Sequence, residues 1–355
     1  MKEKPTLCFL RLEDTAYGGA ENYLRRAGEA LDKLHIPYHI MHSTAPHFLA
    51  SWIKALYFNA EARLKKKNQF YFSLSRITSA DIYRAGDGVH RVYMKVKKAK
   101  WWENPAHFVY CYLERRCFQK AKKIIANSLM VKNEIIESYQ IPDNKIKVIY
   151  NGVSLDFVDV KSANFEIRQQ LNIPLDKKII LFVGSGFKRK GLKCFLEILS
   201  SLKNDFVSII IGKDKKIKNY QKLADSLHLS KKIIFLPQQK NINDYYAASD
   251  IFFLPTLYDP FANVTLEAMA LENAIITSSK NGAAEILNPT FVMNENNKNN
   301  IVKEMENLLS DENYLKKTKR DNFQISQRFS IEKNVEETLK VIQEVMRGDS
   351  ELSLE

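Results

Sequence analysis

Two stretches of this 355-residue sequence begin with the same order of elements: an apolar strand, a glycine turn and a helix-periodic segment. The first order passes through Gly18 and Gly19 into a helix over 20–34. The second passes from a strand over 178–183 through Gly184 into another helix. Because a helix crosses over between two parallel strands, this order is typical of the first unit of a parallel α/β sheet. We therefore predict an α/β protein with two Rossmann-like, doubly wound domains.

Further short β-like runs follow each of these beginnings at helix-sized intervals. They are 38–42, 81–84, 123–126 and 146–150 in the first half, and 207–211, 232–236, 250–254 and 274–277 in the second. The length of the chain also favours two domains over one.

Domain limits follow from these runs and from a polar segment over 158–175, which we interpret as the connection. We place the first domain at 1–157 and the second at 158–329, and expect a C-terminal helix within 330–355 that packs back on the first domain. Doubly wound sheets bind ligands outside the carboxyl ends of their strands, so two such domains predict a central cleft that both face.

The positive charge lies almost entirely in the first half of the chain. Residues 1–155 hold 26 Lys and Arg against 14 Asp and Glu, whereas the remainder holds 28 against 27. A basic field on one domain attracts polyanions: nucleic acid, anionic lipid or a phosphorylated glycan. No apolar run reaches about 18 residues, so we expect no spanning helix. The N-terminal sequence lacks a signal-peptide cleavage pattern, so we expect no export.

The cysteines and histidines give no metal-binding pattern. The four cysteines are scattered, with no CxxC spacing, and the histidines form neither HxxxH nor HExxH. We expect free thiols in a reducing cytoplasm, no bound metal and no cofactor.

The segment 258–270, YDPFANVTLEAMA, carries the strongest local signal. It follows an apolar strand and opens a helix, whose first amide groups form an anion site. Asp259 precedes the helix and Glu267 lies inside it, so both carboxylates could bind hydroxyls of the ligand whose phosphate the helix holds. The alternative is a core helix with an incidental acid pair. The predicted ligand-binding residues are Asp259, Phe261, Ala262, Asn263, Val264, Thr265 and Glu267.

A second signal is the segment 184–191, GSGFKRKG, at a strand end. It is not a Walker loop, because the G-K-[ST] ending is missing. Three consecutive cations beside a glycine turn, Lys188, Arg189 and Lys190, would nevertheless suit an anionic ligand. The alternative is a solvated helix start.

Two loops of the first domain complete the candidate site. The turn from Gly18 to Glu21, GGAE, allows the backbone to approach a phosphate or an acceptor closely. The segment 83–91, YRAGDGVHR, places Asp87 and His90 after a short strand. His90 could hydrogen-bond a hydroxyl group of a ligand, and Asp87 could bind a second ligand or help accept its proton. A plain loop histidine is the alternative.

Together these motifs resemble those of the retaining family 4 glycosyltransferases, which have the GT-B fold. The segment 258–270 is similar to their E-x7-E signature, with Asp259 in place of the first Glu, and the GGAE turn and the Arg/Lys pair occur in matching order. The strings RAGDGVHR, GSGFKRKG and YDPFANVTLEA resemble those of lipopolysaccharide core glucosyltransferases I. Broader landmarks of family 4 are ANS at 126–128, VIYNGV at 148–153 and GAAE at 282–285.

The resemblance implies a role for each site residue. Asp259 would contact the donor sugar and Glu267 the ribose, with Gly18, Gly19 and Gly184 at the donor. Arg189 and Lys190 would stabilise the departing diphosphate, whose charge grows in the transition state. The shorter Asp259, and Ser185 where the family has Arg, depart from the pattern.

The resemblance also implies a reaction. A hexose, with UDP-glucose as the favoured donor, would pass with retention to a heptose of the lipopolysaccharide or lipooligosaccharide inner core. Galactose, N-acetylhexosamine or heptose transfer to another glycolipid is the alternative. A nucleic-acid-binding or non-catalytic nucleotide-sugar-binding protein is the alternative of another class, although no helix-turn-helix, zinc-finger or RNP signature is present.

Cations and aromatic residues are mixed over 94–123, a composition that suits the interface of an anionic bilayer. The resemblance implies a lipid-anchored phosphorylated oligosaccharide as acceptor, and with it we expect a peripheral cytoplasmic protein on the inner face of the cytoplasmic membrane. A solvated basic face with a buried aromatic stripe is the alternative. The predicted patch comprises Lys97, Lys98, Lys100, Trp101, Trp102, Arg115 and Arg116.

Overall fold

The computed structural model describes residues 5–13, 19–100, 102, 104–153 and 159–351. The chain divides into two compact units. The first comprises Met1–Gly152 and Ile331–Glu355, and the second comprises Val153–Ser330. The sequence pattern predicts these limits at 157 and 329, within five residues of the observed ones.

Among the described residues of the first unit, six strands form a parallel sheet in the order β2-β1-β3-β4-β5-β6. Its elements in chain order are β1 (Thr6–Leu10), α1 (Gly19–Lys33), β2 (Tyr38–Met41), α2 (Ser51–Lys65), β3 (Gln69–Ser73), β4 (Ile82–Ala85), α3 (His90–Lys97), α4 (Pro105–Lys120), β5 (Lys123–Ala126), α5 (Leu129–Tyr139) and β6 (Ile146–Val148).

Strand β3 was missed by the sequence analysis. Its sequence, QFYFS, closely follows the lysines at 65–67 and is not among the β-like runs predicted above. In the structure it lies at the centre of the sheet, where Tyr71 pairs with Cys8 of β1. Its aromatic side chains alternate between the two faces: Phe70 and Phe72 belong to one core cluster and Tyr71 to another.

The last helix of the chain, Ile331–Glu351, belongs to the first unit and packs on α1. Its apolar residues Ile331, Val335, Val341 and Ile342 join the core cluster that contains Phe72. This helix follows the second unit in sequence, so it is labelled α14.

The second unit repeats the architecture. Among its described residues, six parallel strands lie in the order β12-β11-β10-β7-β8-β9. Its elements are α6 (Val160–Gln170), β7 (Lys178–Val183), α7 (Phe187–Lys190), α8 (Leu192–Ser200), β8 (Phe206–Ile211), α9 (Ile217–Ser226), β9 (Ile233–Leu236), α10 (Ile242–Ala248), β10 (Ile251–Leu254), α11 (Asn263–Ala270), β11 (Ala274–Ser278), β12 (Val292–Met293), α12 (Lys298–Ser310) and α13 (Glu312–Ser326).

The segment 158–175, expected to be a polar connection, contains helix α6. Asp159 caps this helix, and its buried residues Ala163 and Ile167 lie one turn apart on the face that packs against α10. Arg168, also buried, donates to the carbonyls of Pro174 and Lys177. The apolar stripe contains only two buried apolar residues, so the largely polar composition of the segment gives little indication of a helix.

Candidate active site

The glycine-containing loop after β7 has a shape that depends on Gly191. This residue has φ +81°, and a Cβ added there would lie 1.8 Å from the carbonyl oxygen of Pro255. The neighbouring carbonyl of Arg189 accepts hydrogen bonds from the amide of Leu257 at 2.8 Å and the hydroxyl of Thr256 at 2.9 Å. The loop 184–191 is therefore fixed against the chain that leads from β10 to α11.

Gly184 makes room for the side chain of Lys190. A Cβ added at Gly184 would approach Cγ, Cδ and Cε of Lys190 to between 3.0 and 3.2 Å. The aliphatic part of Lys190 passes over this glycine and is buried, whereas Lys188 is exposed. Of the three consecutive cations, Lys190 is thus held in one place by packing.

Asp259 contacts two of the three cations, Arg189 and Lys190. Its Oδ2 is 2.7 Å from Nζ of Lys190 and 2.8 Å from Nη1 of Arg189, which also donates to the carbonyl of Tyr258. Burial alone would raise the pKa of Asp259, but the charges and hydrogen bonds of Lys190 and Arg189 outweigh it and hold that pKa below its ordinary value. The carboxylate is therefore ionised and central to a cationic cluster.

The loop between Asp259 and α11 is held by Asn281, which the sequence analysis did not select. Its Oδ1 accepts from the amides of Ala262 and Ala283, and its Nδ2 donates to the hydroxyls of Thr265 and Thr277. All four hydrogen-bonding positions of this buried amide are filled. Its position directly before the GAAE landmark was the available sequence signal.

The predicted donor-binding residues of this loop differ in accessibility. Phe261, Ala262 and Thr265 are buried, whereas Asn263 and Val264 are half-buried. The amide of Thr265 donates to the carbonyl of Ala262 at 2.9 Å, so it already takes part in the helix turn. This amide at the start of α11 therefore has a partner within the protein.

Glu267 is half-buried within α11 and has a tyrosine partner. The hydroxyl of Tyr246 lies 3.3 Å from Oε2 of Glu267. Burial, followed by the charge of Glu267, raises the pKa of Tyr246 well above its ordinary value, so this hydroxyl stays protonated and donates.

In the first unit, His90 is the first residue of helix α3 and is positioned by Glu114. The amide of His90 donates to both oxygens of Glu114, at 2.9 and 3.1 Å. Glu114 is fully buried on α4, pairs with Arg76 at 3.0 Å and accepts from the hydroxyl of Tyr139 at 2.7 Å. This carboxylate caps α3 from a neighbouring helix.

The ring of His90 is neutral near pH 7. Its Nε2 lies 3.1 Å from Nδ1 of His107. Burial, together with the charges of Arg76, His107 and Lys97, lowers its pKa to about 4. His90 can therefore donate or accept a hydrogen bond but carries no charge at physiological pH.

Asp87 belongs to an ion-pair group that links the carboxyl ends of β1 and β4. Nη1 of Arg11 lies 3.7 Å from Asp87, and Nη2 lies 3.0 Å from Glu21 of the GGAE turn. Half of the Asp87 side chain remains exposed. Gly19 begins α1, whereas Gly18 lies outside the described residues.

The predicted basic patch lies on the surface of the first unit. Trp102 is 64% exposed, and Phe108 and Tyr112 of α4 are 65% and 50% exposed. Nζ of Lys100 lies 5.5 Å from the Trp102 ring, and Arg116 lies 5.8 Å from the Tyr112 ring. Lys97, Lys98, Lys100, Arg115 and Arg116 are exposed as well, and Trp101 lies outside the described residues.

Two properties of the described part of the chain concern metals and membranes. Within it, no group of three His, Cys, Asp or Glu side chains is placed to hold a metal ion. Among its helices, none combines the length and the apolar character that crossing a bilayer requires.

Two segments of the chain match glycosyltransferase families. Residues 163–325 match the family described as glycosyl transferases group 1, and residues 83–157 match glycosyltransferase family 4. Over 199 residues the chain is 25% identical to the Campylobacter jejuni enzyme N-acetylgalactosamine-N,N'-diacetylbacillosaminyl-diphospho-undecaprenol 4-alpha-N-acetylgalactosaminyltransferase, covering 55% of this chain and 53% of the relative. The chain spans about half the length of the curated relatives it matches.

Solved structures show the same fold along nearly the whole chain. WaaG, a glycosyltransferase involved in lipopolysaccharide biosynthesis, superposes with a TM-score of 0.81 at 16% identity, covering 95% of this chain and 99% of WaaG. Anabaena Alr3699/HepE in complex with UDP-glucose superposes with a TM-score of 0.72 at 18% identity, covering 95% and 99%. The fold is GT-B.

Proposed function

We propose that this protein is a retaining glycosyltransferase that moves a hexose from a nucleoside diphosphate sugar, with UDP-glucose favoured, to a heptose of a lipopolysaccharide or lipooligosaccharide inner core. The observation that carries the proposal is the cluster of buried Asp259 and Lys190 with half-buried Arg189. It lies within the segment that matches the glycosyl transferases group 1 family.

The cluster is arranged to bind both parts of such a donor. Both cations donate a hydrogen bond to the same oxygen of Asp259, Oδ2. We assign Oδ1 to a sugar hydroxyl and the remaining N–H groups of Arg189 and Lys190 to the diphosphate. Because Asp259 holds both cations in place before the donor arrives, little reorganisation is needed as negative charge develops on the leaving group.

The chemical step follows from the same groups. The bond from the anomeric carbon to the diphosphate oxygen breaks, a bond to the acceptor hydroxyl oxygen forms on the same face, and the hydroxyl proton passes to the leaving diphosphate. Arg189 and Lys190 stabilise the charge that develops. Neutral His90 would hydrogen-bond the sugar, Asp87 would orient the acceptor, and Glu267 would bind the ribose. No protein nucleophile is required.

The basic patch supports an acceptor anchored in an anionic membrane. Exposed Trp102, Phe108 and Tyr112 beside lysines and arginines are suited to the headgroup region, where each cation contributes up to about 1 kcal/mol. The named acceptor of the Campylobacter relative is lipid-linked. We therefore place the protein peripherally on the inner face of the cytoplasmic membrane.

Donor and stereochemistry are tested together by product analysis. UDP-, ADP- and GDP-sugars are offered with and without a truncated phosphorylated core glycolipid, and diphosphate release and the anomeric configuration of the product are measured. We expect one UDP-hexose to be transferred with retention, and the activity to be lost in Glu267→Ala but kept in Glu197→Ala, a surface control. An inverted product, or transfer of no hexose, would overturn the proposal.

A further inference from the structure

Arg84 is a buried cation of strand β4 with an incomplete set of partners. Its side chain is 2% exposed. Nη2 donates to Oδ1 of Asn151 at 2.8 Å, and the guanidinium carbon lies 4.2 Å from the ring centre of Tyr23. Nη1 has no hydrogen-bond partner. A buried donor without a partner is rare in folded proteins and asks for an explanation.

The charge of Arg84 is also unbalanced, unlike that of half-buried Arg76 and buried Arg168. Arg76 pairs with Glu114 and Arg168 with Asp250. Across the described residues, Arg84 has no carboxylate within ion-pairing distance, and burial lowers its pKa. A purely structural arginine would normally be accompanied by an acid, because an unpaired buried charge is destabilising.

A second unsatisfied group lies at the same edge of the sheet. Oδ1 of Asn127 has no partner and the residue is buried, while its Nδ2 donates to the carbonyl of Gly86. Strands β4, β5 and β6 are neighbours, and their carboxyl ends bring Arg84, Asn127 and Asn151 to one edge. Ligands of parallel α/β sheets bind at this edge.

We propose that Arg84 binds a phosphate group of the acceptor, with Asn127 and Asn151 as polar neighbours. The assignment of this phosphate to the acceptor rests on the proposed function. Nη1 is shielded from solvent, so the side chain has to turn toward the strand ends to reach the ligand. Within the described part of the chain, the Asn151 hydrogen bond and the Tyr23 contact oppose that turn, and no ion pair has to break. A phosphate then supplies the missing counterion.

The first test uses inorganic phosphate as the probe and the full chain as the sample. Thermal unfolding is followed in phosphate and in chloride at equal ionic strength, for the wild type and for Arg84→Met, Asn151→Asp and Lys190→Ala. We expect phosphate to raise the melting temperature of the wild type and of Lys190→Ala, since a ligand of the native state stabilises it. The increase should be clearly smaller in Arg84→Met than in the wild type, with the remainder coming from the cations of the donor loop, which this variant keeps.

Asn151→Asp keeps the test decisive if Arg84→Met folds poorly. The new carboxylate gives Arg84 an internal counterion, so it should raise the melting temperature in chloride and reduce the additional increase in phosphate. A phosphate effect that is lost in Lys190→Ala but kept in both other variants would place the anion at the donor loop and overturn the proposal. Equal melting temperatures of the wild type in phosphate and chloride would overturn it too.

A second measurement separates the acceptor phosphate from the donor diphosphate. Transfer to a phosphorylated acceptor and to its dephosphorylated form is compared in the wild type and in Arg84→Met. A charge-assisted contact predicts that KM for the phosphorylated acceptor rises about tenfold while KM for the dephosphorylated one changes little. Equal losses on both acceptors would assign Arg84 a structural role. If no acceptor is glycosylated, the proposed function fails, whereas the phosphate experiment still tests the anion site.

Discussion

Nζ of Lys190 lies 2.7 Å from Oδ2 of Asp259, although the two residues are 69 positions apart in the sequence. Arg189 contacts the same oxygen, so one buried carboxylate holds two cations at the end of a parallel sheet. A site that must bind a diphosphate needs positive charge that is fixed in place before the ligand arrives. Asp259 holds the two cations in place, and its single negative charge leaves the cluster with a net positive charge.

Removing the charge of Asp259 should destabilise the second unit. In Asp259→Asn, Lys190 stays buried without a counterion, which predicts a loss of about 3 kcal/mol in the free energy of unfolding. Urea denaturation at pH 7 measures it. Asp205→Asn, which breaks an exposed pair with Lys177, is the control and should unfold near the wild-type midpoint. Equal midpoints for Asp259→Asn and the wild type would show that the cluster is not a stabilising contact.

The same variant has a defined pH dependence. The pKa of Asp259 is lowered in the folded protein, so its contribution is present above the unfolded pKa near 4 and is lost as the pH falls further. The difference in unfolding free energy between the wild type and Asp259→Asn should therefore shrink below pH 4. A difference that stays constant from pH 7 to pH 3 would contradict the ion-pair assignment.

Two glycines of the loop 184–191 should respond differently to alanine. In Gly184→Ala the new methyl group presses on the flexible stem of Lys190, which can move. We expect a loss of about tenfold in kcat from displaced charge, with less than about 1.5 kcal/mol in stability. In Gly191→Ala the methyl group meets backbone at a positive φ, so a loss of about 3 kcal/mol is expected. Turnover and urea unfolding of both variants, measured side by side, test this difference. Equal losses of stability in the two variants would contradict it.

His90 should make stability depend on pH in the mildly acidic range. Its pKa falls from 6.5 to about 4 on folding, so the unfolded chain binds more protons between these values. Stability should therefore fall as the pH drops from about 6.5 toward 4. His90→Gln should lessen this slope, as denaturation at pH 7, 5.5 and 4.5 would reveal. The same slope in both proteins would contradict a buried neutral imidazole.

The basic patch should bind anionic vesicles in a salt-dependent manner. We expect sedimentation with phosphatidylglycerol vesicles but not with phosphatidylcholine vesicles, weakened in the double variant Lys97→Glu, Lys98→Glu and in Trp102→Ala. Lys193→Glu, an exposed lysine of the second unit, is the control. Tight oligonucleotide binding without vesicle binding would instead favour a nucleic-acid role for the basic half.

Much of the fold could be predicted because strand, glycine turn and helix follow one another locally in the sequence. The doubled sheet architecture is confirmed, with most strand ends shifted by only one or two residues. The strand Gln69–Ser73 and the helix Val160–Gln170 were not predicted, because each is stabilised by the elements that it packs against more than by its own local sequence pattern. A central aromatic strand beside lysines and a helix with two buried apolar positions have weak periodicity of their own.

The site was predictable in its motifs and less so in its contacts. The segments around Lys190, Asp259 and His90 stood out by composition and spacing. Their roles toward donor and acceptor stay predictions. Glu114 and Asn281, which hold His90 and the loop after Asp259, were not selected, because each acts on a segment that is distant in the sequence. The one local signal was the position of Asn281 directly before the GAAE landmark. Arg84 is the first residue of the string RAGDGVHR, but its burial without a carboxylate partner among the described residues is visible only in the structure.

The central claim is tested most directly by UDP release from UDP-glucose in the presence of a phosphorylated core glycolipid and EDTA, comparing the wild type with Lys190→Ala and the exposed control Lys193→Ala. If Lys190 stabilises the departing diphosphate, its removal should lower kcat/KM by about 100-fold or more, whereas Lys193→Ala should match the wild type. Wild-type activity in Lys190→Ala would contradict the account, as would a wild-type protein that neither binds nor turns over any nucleotide sugar.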